Sequence, residues 1–160
     1  MLPSFFDYPG RAESSDSQEL VFLSNWGNTQ WQKLLKFTEI RHFKKGEVVI
    51  RHGDNDRALY IIVEGRLEVL VPSGDRKTLR GTQIREAGTV IGEQAFLDGK
   101  PRSATLRARS DGEMLSISQD GFQTFTAYEP ALARDVLLDL ARTLSVKLRQ
   151  ANEFIAGRIS

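Results

Sequence analysis

The spacing of turn residues between Ile40 and Ile117 limits this chain more than any other feature. Short apolar or alternating runs recur at Val48–Ile50, Leu59–Val63, Leu67–Val71, Thr78–Ile84, Val90–Ile91 and Met114–Ile117. Between them stand Lys45-Gly46, the His52 to Asp56 cluster, Glu64-Gly65, Pro72 to Arg76, Gly88 and Ser110-Asp111-Gly112. Glycine reaches positive φ without steric cost, Asn and Asp bond their own backbone, and Pro presets φ, so each cluster turns the chain before a strand can lengthen. Seven or eight strands at this spacing predict a sandwich or jelly-roll barrel. No long repeat accompanies the pattern.

The flanks read differently. Asp120 to Tyr128 is expected to be a short helix, which Glu129-Pro130 ends while opening another, with Pro at an early helical position. From there to about Phe154 Gly and Pro are absent, and Leu, Ala, Arg and Lys dominate, which predicts a helix over 130–156. Leu137, Ala141, Leu144, Leu148, Ala151 and Ile155 follow a 4-3-4-3-4 spacing, an a/d seam. Val136 and Leu140 form a second stripe. One helix with two apolar stripes should cover both its own barrel and a partner. A homodimer through Leu137, Ala141, Leu144 and Leu148 would need barrel contacts as well, since under three heptads do not hold a coiled coil.

At the other end, Met1 to Asp16 reads as a loose arm whose Phe5, Phe6 and Tyr8 could dock on the body. Glu19 to Leu23 is expected to be a short helix, broken by Asn25 to Asn28. Thr29 is placed to cap a second helix carrying Trp31, Leu34 and Leu35. The expected organisation is an arm and short helix over 1–28, then one domain over 29–160.

Composition narrows the function. The sequence has no Cys and two His. That excludes disulfides, zinc fingers and thiol nucleophiles, and neither His42 nor His52 has the paired spacing of a metal site. A net charge of +1 with no Lys/Arg block gives nucleic-acid binding no support. No signal-peptide pattern is visible, and no run approaches the ~18 apolar residues that cross a membrane. A soluble cytoplasmic protein is the expectation. Asp54-Asn55-Asp56 lacks the remaining ligands of a calcium loop and reads as a turn. No serine stands in a nucleophile elbow, so no catalytic residue is assigned.

One stretch carries chemistry. Gly92 to Ala108 begins with Gly-Glu and a short apolar patch long enough for one helical turn, then turns through Asp98-Gly99-Lys100-Pro101. It continues with Ser103, Thr105 and Arg107 alternating with Ala104, Leu106 and Ala108, the period of a half-buried strand. Free N–H groups at a helix start together with a guanidinium can cradle an anion.

With Gly92-Glu93-Gln94-Ala95-Phe96 followed by Pro101-Arg102-Ser103-Ala104-Thr105, this stretch resembles the phosphate-binding cassette of cyclic nucleotide-binding domains. The resemblance extends from about Trp31 to Asn152 and takes in Gly53-Asp54, the Leu59 to Gly65 hairpin, Gly88 and the long helix. It implies a mainly β fold with flanking α: a double-stranded β-helix (jelly-roll) barrel, then a short helix and a long C-terminal helix. It also implies that Glu93 accepts from a ribose 2′-hydroxyl and that Arg102 pairs with the cyclic phosphate. Gly92, Ala95 and Ser103 would add backbone or hydroxyl bonds, with Val69 and Gln83 near sugar and base. A buried phosphate without such partners would cost several kcal/mol.

Two departures from the family stand out, one at Gln94 and one at Lys147 and Leu148. Gln94 stands where an aliphatic residue is usual. Lys147 and Leu148 stand where the catabolite activator type presents Thr and Ser to adenine. Some cGMP-selective relatives carry Thr at the place of Ser103, and cAMP-binding bacterial members carry Ser, so cAMP is the expected ligand and cGMP the alternative.

The sequence offers few residues beyond the long helix, so no helix-turn-helix is expected, unlike the transcription factors of the family. The expected function is a stand-alone, non-enzymatic cAMP receptor whose long helix closes over the base about a hinge at Glu129-Pro130. It would signal to an effector protein or through self-association. A structural or interaction module that binds no ligand is the alternative, and a cupin-like metal enzyme is a weaker one. For Glu93 and Arg102 the bland alternative is a structural ion pair or solvated charges, a surface pair being worth only about 0–1 kcal/mol.

Overall fold

The computed structural model describes residues 19–75 and 77–159, so the expected aromatic arm lies outside the described residues. The chain runs through α1 (Asn28–Leu35), β1 (Glu39–Phe43), β2 (Val48–Ile50), β3 (Leu59–Glu64), β4 (Leu67–Pro72), β5 (Leu79–Arg85), β6 (Val90–Ile91), α2 (Glu93–Asp98), β7 (Thr105–Ala108), β8 (Gly112–Ile117), α3 (Gln119–Tyr128) and α4 (Pro130–Ile159). Two four-stranded antiparallel sheets, in the orders β1-β8-β3-β6 and β2-β7-β4-β5, form the barrel. The eight described strands and the closing long helix match the mainly β, jelly-roll expectation.

β3 shows why the core sits where it does. Leu59 to Val63 are all buried, because β8 and β6 flank the strand in its sheet while side chains cover both of its faces. Phe22, Trp26 and Trp31 from the N-terminal side and Phe125, Val136 and Leu140 from the C-terminal helices join the barrel residues in one core cluster. Each fully buried aliphatic side chain of this kind contributes about 1.5–3 kcal/mol. The β3–β4 hairpin turns at Gly65, whose φ is +93°. A Cβ there would sit 2.7 Å from the Asp111 carbonyl oxygen, so only glycine fits.

Three local expectations are corrected. Glu19 to Leu23 forms turns rather than a helix. Its backbone is claimed by distant side chains: Arg142 donates to the Glu19 and Val21 carbonyls, and the Leu23 N–H donates to Asp139 Oδ2 at 2.6 Å. α1 starts at Asn28, with Gly27 rather than Thr29 as its cap, since the Gly27 N–H donates to Gln30 Oε1 at 2.8 Å. β7 starts at Thr105 and not at Ser103, and Thr105 is buried despite its place on the polar alternation. Its hydroxyl accepts from the His52 N–H at 3.0 Å, which draws it inward.

α4 carries both stripes. Ala133, Val136, Leu140 and Thr143 are buried against the body, and Asp135 accepts from the Trp26 indole N–H at 3.3 Å. On the seam, Leu137, Leu148 and Ile155 are exposed, at 42%, 62% and 54%. Among the described residues no helix is long and apolar enough to cross a membrane.

Candidate functional site

α2 is a short helix held between two left-handed glycines. Gly92 before it has φ +77° and Gly99 after it φ +71°. The Phe96 N–H returns to the Gly92 carbonyl and the Gly99 N–H to that of Ala95, at 3.2 and 2.9 Å. Arg57 closes the far end by donating to the Ala95 and Phe96 carbonyls, at 3.2 and 3.1 Å. The helix buries Glu93, Ala95 and Phe96. Its first residue thus carries a carboxylate into the protein.

Arg102 follows the turn after α2 and is buried, with 3% exposure. Its Nη1 donates to the Gly92 carbonyl at 2.8 Å, and its Nη2 donates to the Ala58 carbonyl at 2.7 Å and to Asp56 Oδ2 at 2.8 Å. The Tyr60 ring lies 5.6 Å from the guanidinium carbon, within cation–π range. Arg102 Nε is buried and has no hydrogen-bond partner. A guanidinium has five N–H donors, so this one keeps capacity for an acceptor from outside the chain.

Asp56 also accepts from the Ala58 N–H at 3.0 Å and the Tyr60 hydroxyl at 2.9 Å. Partial burial pushes its carboxyl up, but Arg102 and these two donors outweigh that and hold it below its ordinary 3.8. Burial pushes the Tyr60 phenol up, and the Asp56 carboxylate adds to the shift.

Glu93 does not meet Arg102. Its Oε1 accepts from Lys147 of α4, whose ammonium also donates to the Val90 carbonyl at 3.1 Å. Desolvation pushes the Lys147 pKa down, Glu93 opposes it, and nearby Arg85 adds to it. Arg85 is itself buried and shifted down by desolvation, and donates to Gln83 Oε1 at 2.6 Å. Glu93 and Arg102 are therefore not paired with each other: each acquires a different partner from another part of the fold.

Arg85, Glu93, Arg102 and Lys147 border one cleft of about 320 Å³, at the lower end of the ~300–1,000 Å³ typical of small-molecule sites. Every expected site residue lines it: Val69, Gln83, Gly92, Glu93, Gln94, Ala95, Arg102 and Ser103. Val69 and Gln83 are cross-strand partners of β4 and β5, and Ser103 donates to Gln94, tying together the two halves of the cassette. Leu144, Lys147, Leu148 and Ala151 of α4 form another wall. So α4 already lies against the cleft in this structure, and the C-terminal half of its seam faces inward as well as outward.

Sequence reasoning missed Asp56, read as a turn residue, and it assigned Arg85 no part. It named Lys147 only as a departure at the base end. No local pattern marks Asp56 or Lys147, for the charges they meet, Arg102 and Glu93, lie 46 and 54 residues away in the chain. Among the described residues no three His, Asp or Glu side chains gather to hold a metal ion. His42 is exposed, 3.6 Å from Glu113.

Comparison with known proteins bears on the family and the fold. A family model described as the cyclic nucleotide-binding domain covers residues 40–129. The chain is 34% identical over 91 residues to a cyclic nucleotide-gated potassium channel of Rhizobium etli, covering 57% of this chain and 24% of the channel. It is 28% identical over 131 residues to the cAMP-activated global transcriptional regulator CRP of Pasteurella multocida, covering 79% of this chain and 62% of the regulator. The chain thus spans less than two thirds of either relative. The crystal structure of a cyclic nucleotide-binding domain from Methylobacillus flagellatus superimposes with a TM-score of 0.78, covering 89% of this chain and 83% of that one. At 22% identity that likeness is one of fold.

Proposed function

We propose that this chain, which belongs to the cyclic nucleotide-binding domain family, is a cAMP receptor and not an enzyme. The observation that carries the reading is Arg102, a buried guanidinium with an unpartnered Nε, bordering a cleft that also holds the buried Glu93. A charged donor kept dry beside a cavity is costly unless something in the cavity accepts from it. A cyclic phosphate supplies that acceptor, and a ribose hydroxyl suits Glu93. Val69, Leu106 and Ile50 offer apolar surface to a purine, and Ser103 is the reason to name cAMP ahead of cGMP.

The proposed output is movement of α4, which lines the cleft and bears the exposed seam. A nucleotide shifts the position of α4 only by its affinity difference between the two helix positions. An effector protein, or a second copy packed through Leu137, Ala141, Leu144 and Leu148, would read the movement. The reading locates the receptor in the cytoplasm, in keeping with a sequence without cysteine.

Calorimetric titration with cAMP, cGMP and cyclic dinucleotides tests the first step. Fluorescence of Trp26, bonded to Asp135 of α4, reports the second. Heat from cAMP with a change in emission is expected. Silence from every ligand at millimolar concentration would leave the interaction module in its place.

A further inference from the structure

Lys147 joins three elements with one ammonium. It reaches from α4 to Glu93 at the start of α2 and to the Val90 carbonyl in β6. The pair is enclosed, with side-chain exposures of 14% for Lys147 and 7% for Glu93. Desolvation opposes a charged lysine there, and Arg85 repels it, so the carboxylate is what keeps the ammonium in place. One Glu93 oxygen is thereby committed to Lys147, and the orientation of the carboxylate is set by α4.

The cleft stays open beneath the docked helix, with Leu144, Lys147 and Leu148 in its wall. A ligand of that volume is accommodated without displacing α4. Charge works in the same direction. Arg85, Arg102 and Lys147 all border the cleft, whereas among the described residues Glu93 is the one carboxylate that lines it. An anionic ligand offsets the repulsion between Arg85 and Lys147 that opposes docking.

We propose that Lys147 is a positioning residue for the ligand: it aims the Glu93 carboxylate at the ribose and fastens α4 over the cleft, so that nucleotide binding and helix docking reinforce each other. The ribose part rests on the cyclic nucleotide reading above, and the tether part does not. Coupling of this kind is reciprocal: whatever docking adds to nucleotide affinity, the nucleotide returns to docking.

The test uses the whole chain with Lys147→Met, which keeps length and apolar stem but removes the charge, and Lys147→Arg as the conservative variant. By calorimetry, Lys147→Met is expected to lower cAMP affinity about tenfold and to bring the affinity ratio of cAMP to 2′-deoxy-cAMP toward one. Lys147→Arg should recover part of both. A purely structural lysine would weaken both ligands equally, so an unchanged ratio overturns the positioning role. Helix docking is read separately, without nucleotide, by amide hydrogen exchange over residues 144–157, where Lys147→Met should exchange several-fold faster. If the native chain binds no cyclic nucleotide while that acceleration appears, the ribose role and the receptor reading fall and the tether stands. If nucleotide binds but exchange over α4 is unaltered in Lys147→Met, the tether is overturned and the receptor reading stands.

Discussion

Arg102 is bonded to Asp56, at 2.8 Å between Nη2 and Oδ2, and not to Glu93, the acid of its own motif. The two charges of the cassette are therefore held apart, Arg102 by a turn residue before β3 and Glu93 by the closing helix. Neither neutralises the other, and both border the same cleft.

Replacing Arg102 removes the donor the proposed phosphate needs. Arg102→Ala is expected to cost roughly 2–5 kcal/mol of cAMP binding, well beyond tenfold in affinity. It also removes a donor from the Ala58 carbonyl and one of the two from the Gly92 carbonyl, which keeps the Phe96 N–H, at about 1–3 kcal/mol of stability. Calorimetry and urea unfolding separate the two losses. Binding that survives in a folded Arg102→Ala chain would remove Arg102 from the site.

Asp56 ties stability to acid pH. Its carboxyl titrates below the ordinary 3.8 in the folded chain, so its contribution is present above that value and disappears as pH falls through the folded one. Asp56→Asn should show a flatter loss of stability below about pH 4. The difference is small, about 1 kcal/mol or less, because the Asp56 side chain is half exposed. Thermal unfolding of both proteins from pH 6 to pH 2.5 measures it, and parallel curves would show that Asp56 contributes nothing.

Gly92 has no room for a side chain. A Cβ would stand 2.5 Å from Arg102 Nη1 and 3.2 Å from the Ala58 carbonyl oxygen, on a backbone at φ +77°. Gly92→Ala is expected to destabilise the chain by about 1–3 kcal/mol and to weaken cAMP binding by moving the guanidinium. Matched unfolding and binding curves check this, and wild-type values in both would mean the cassette tolerates the group.

The outer seam of α4 is the proposed contact with a second copy. Leu137 and Ile155 are exposed and do not line the cleft, so Leu137→Glu with Ile155→Glu alters the seam without touching the proposed ligand site. The native chain should sediment as a dimer and the double variant as a folded monomer that still binds cAMP. Monomers in both would rule the seam out.

Much of the barrel was legible because turns are local. Lys45-Gly46, Glu64-Gly65 and Ser110-Asp111-Gly112 bend the backbone by their own φ preferences, and β2 and β6 start and end where the apolar runs do. α3 and α4 meet at Glu129-Pro130 for the same reason. The misreadings share the opposite cause. Glu19 to Leu23 has helical composition, yet its backbone bonds to Asp139 and Arg142, more than a hundred residues on.

The candidate anion cradle was legible in the sequence because Gly92 to Ser103 is one contiguous segment that sets a glycine, an acid and an arginine within twelve residues. What those charges touch is a matter of tertiary packing. Asp56 reaches Arg102 across 46 residues and Lys147 reaches Glu93 across 54, separations over which spacing in sequence carries no information about contact. The closing of the barrel and the docking of α4 bring those partners together. They decide that Glu93 and Arg102 enter the cleft as separate groups, and that Lys147, in sequence only a departure from the family's pattern, bonds Glu93.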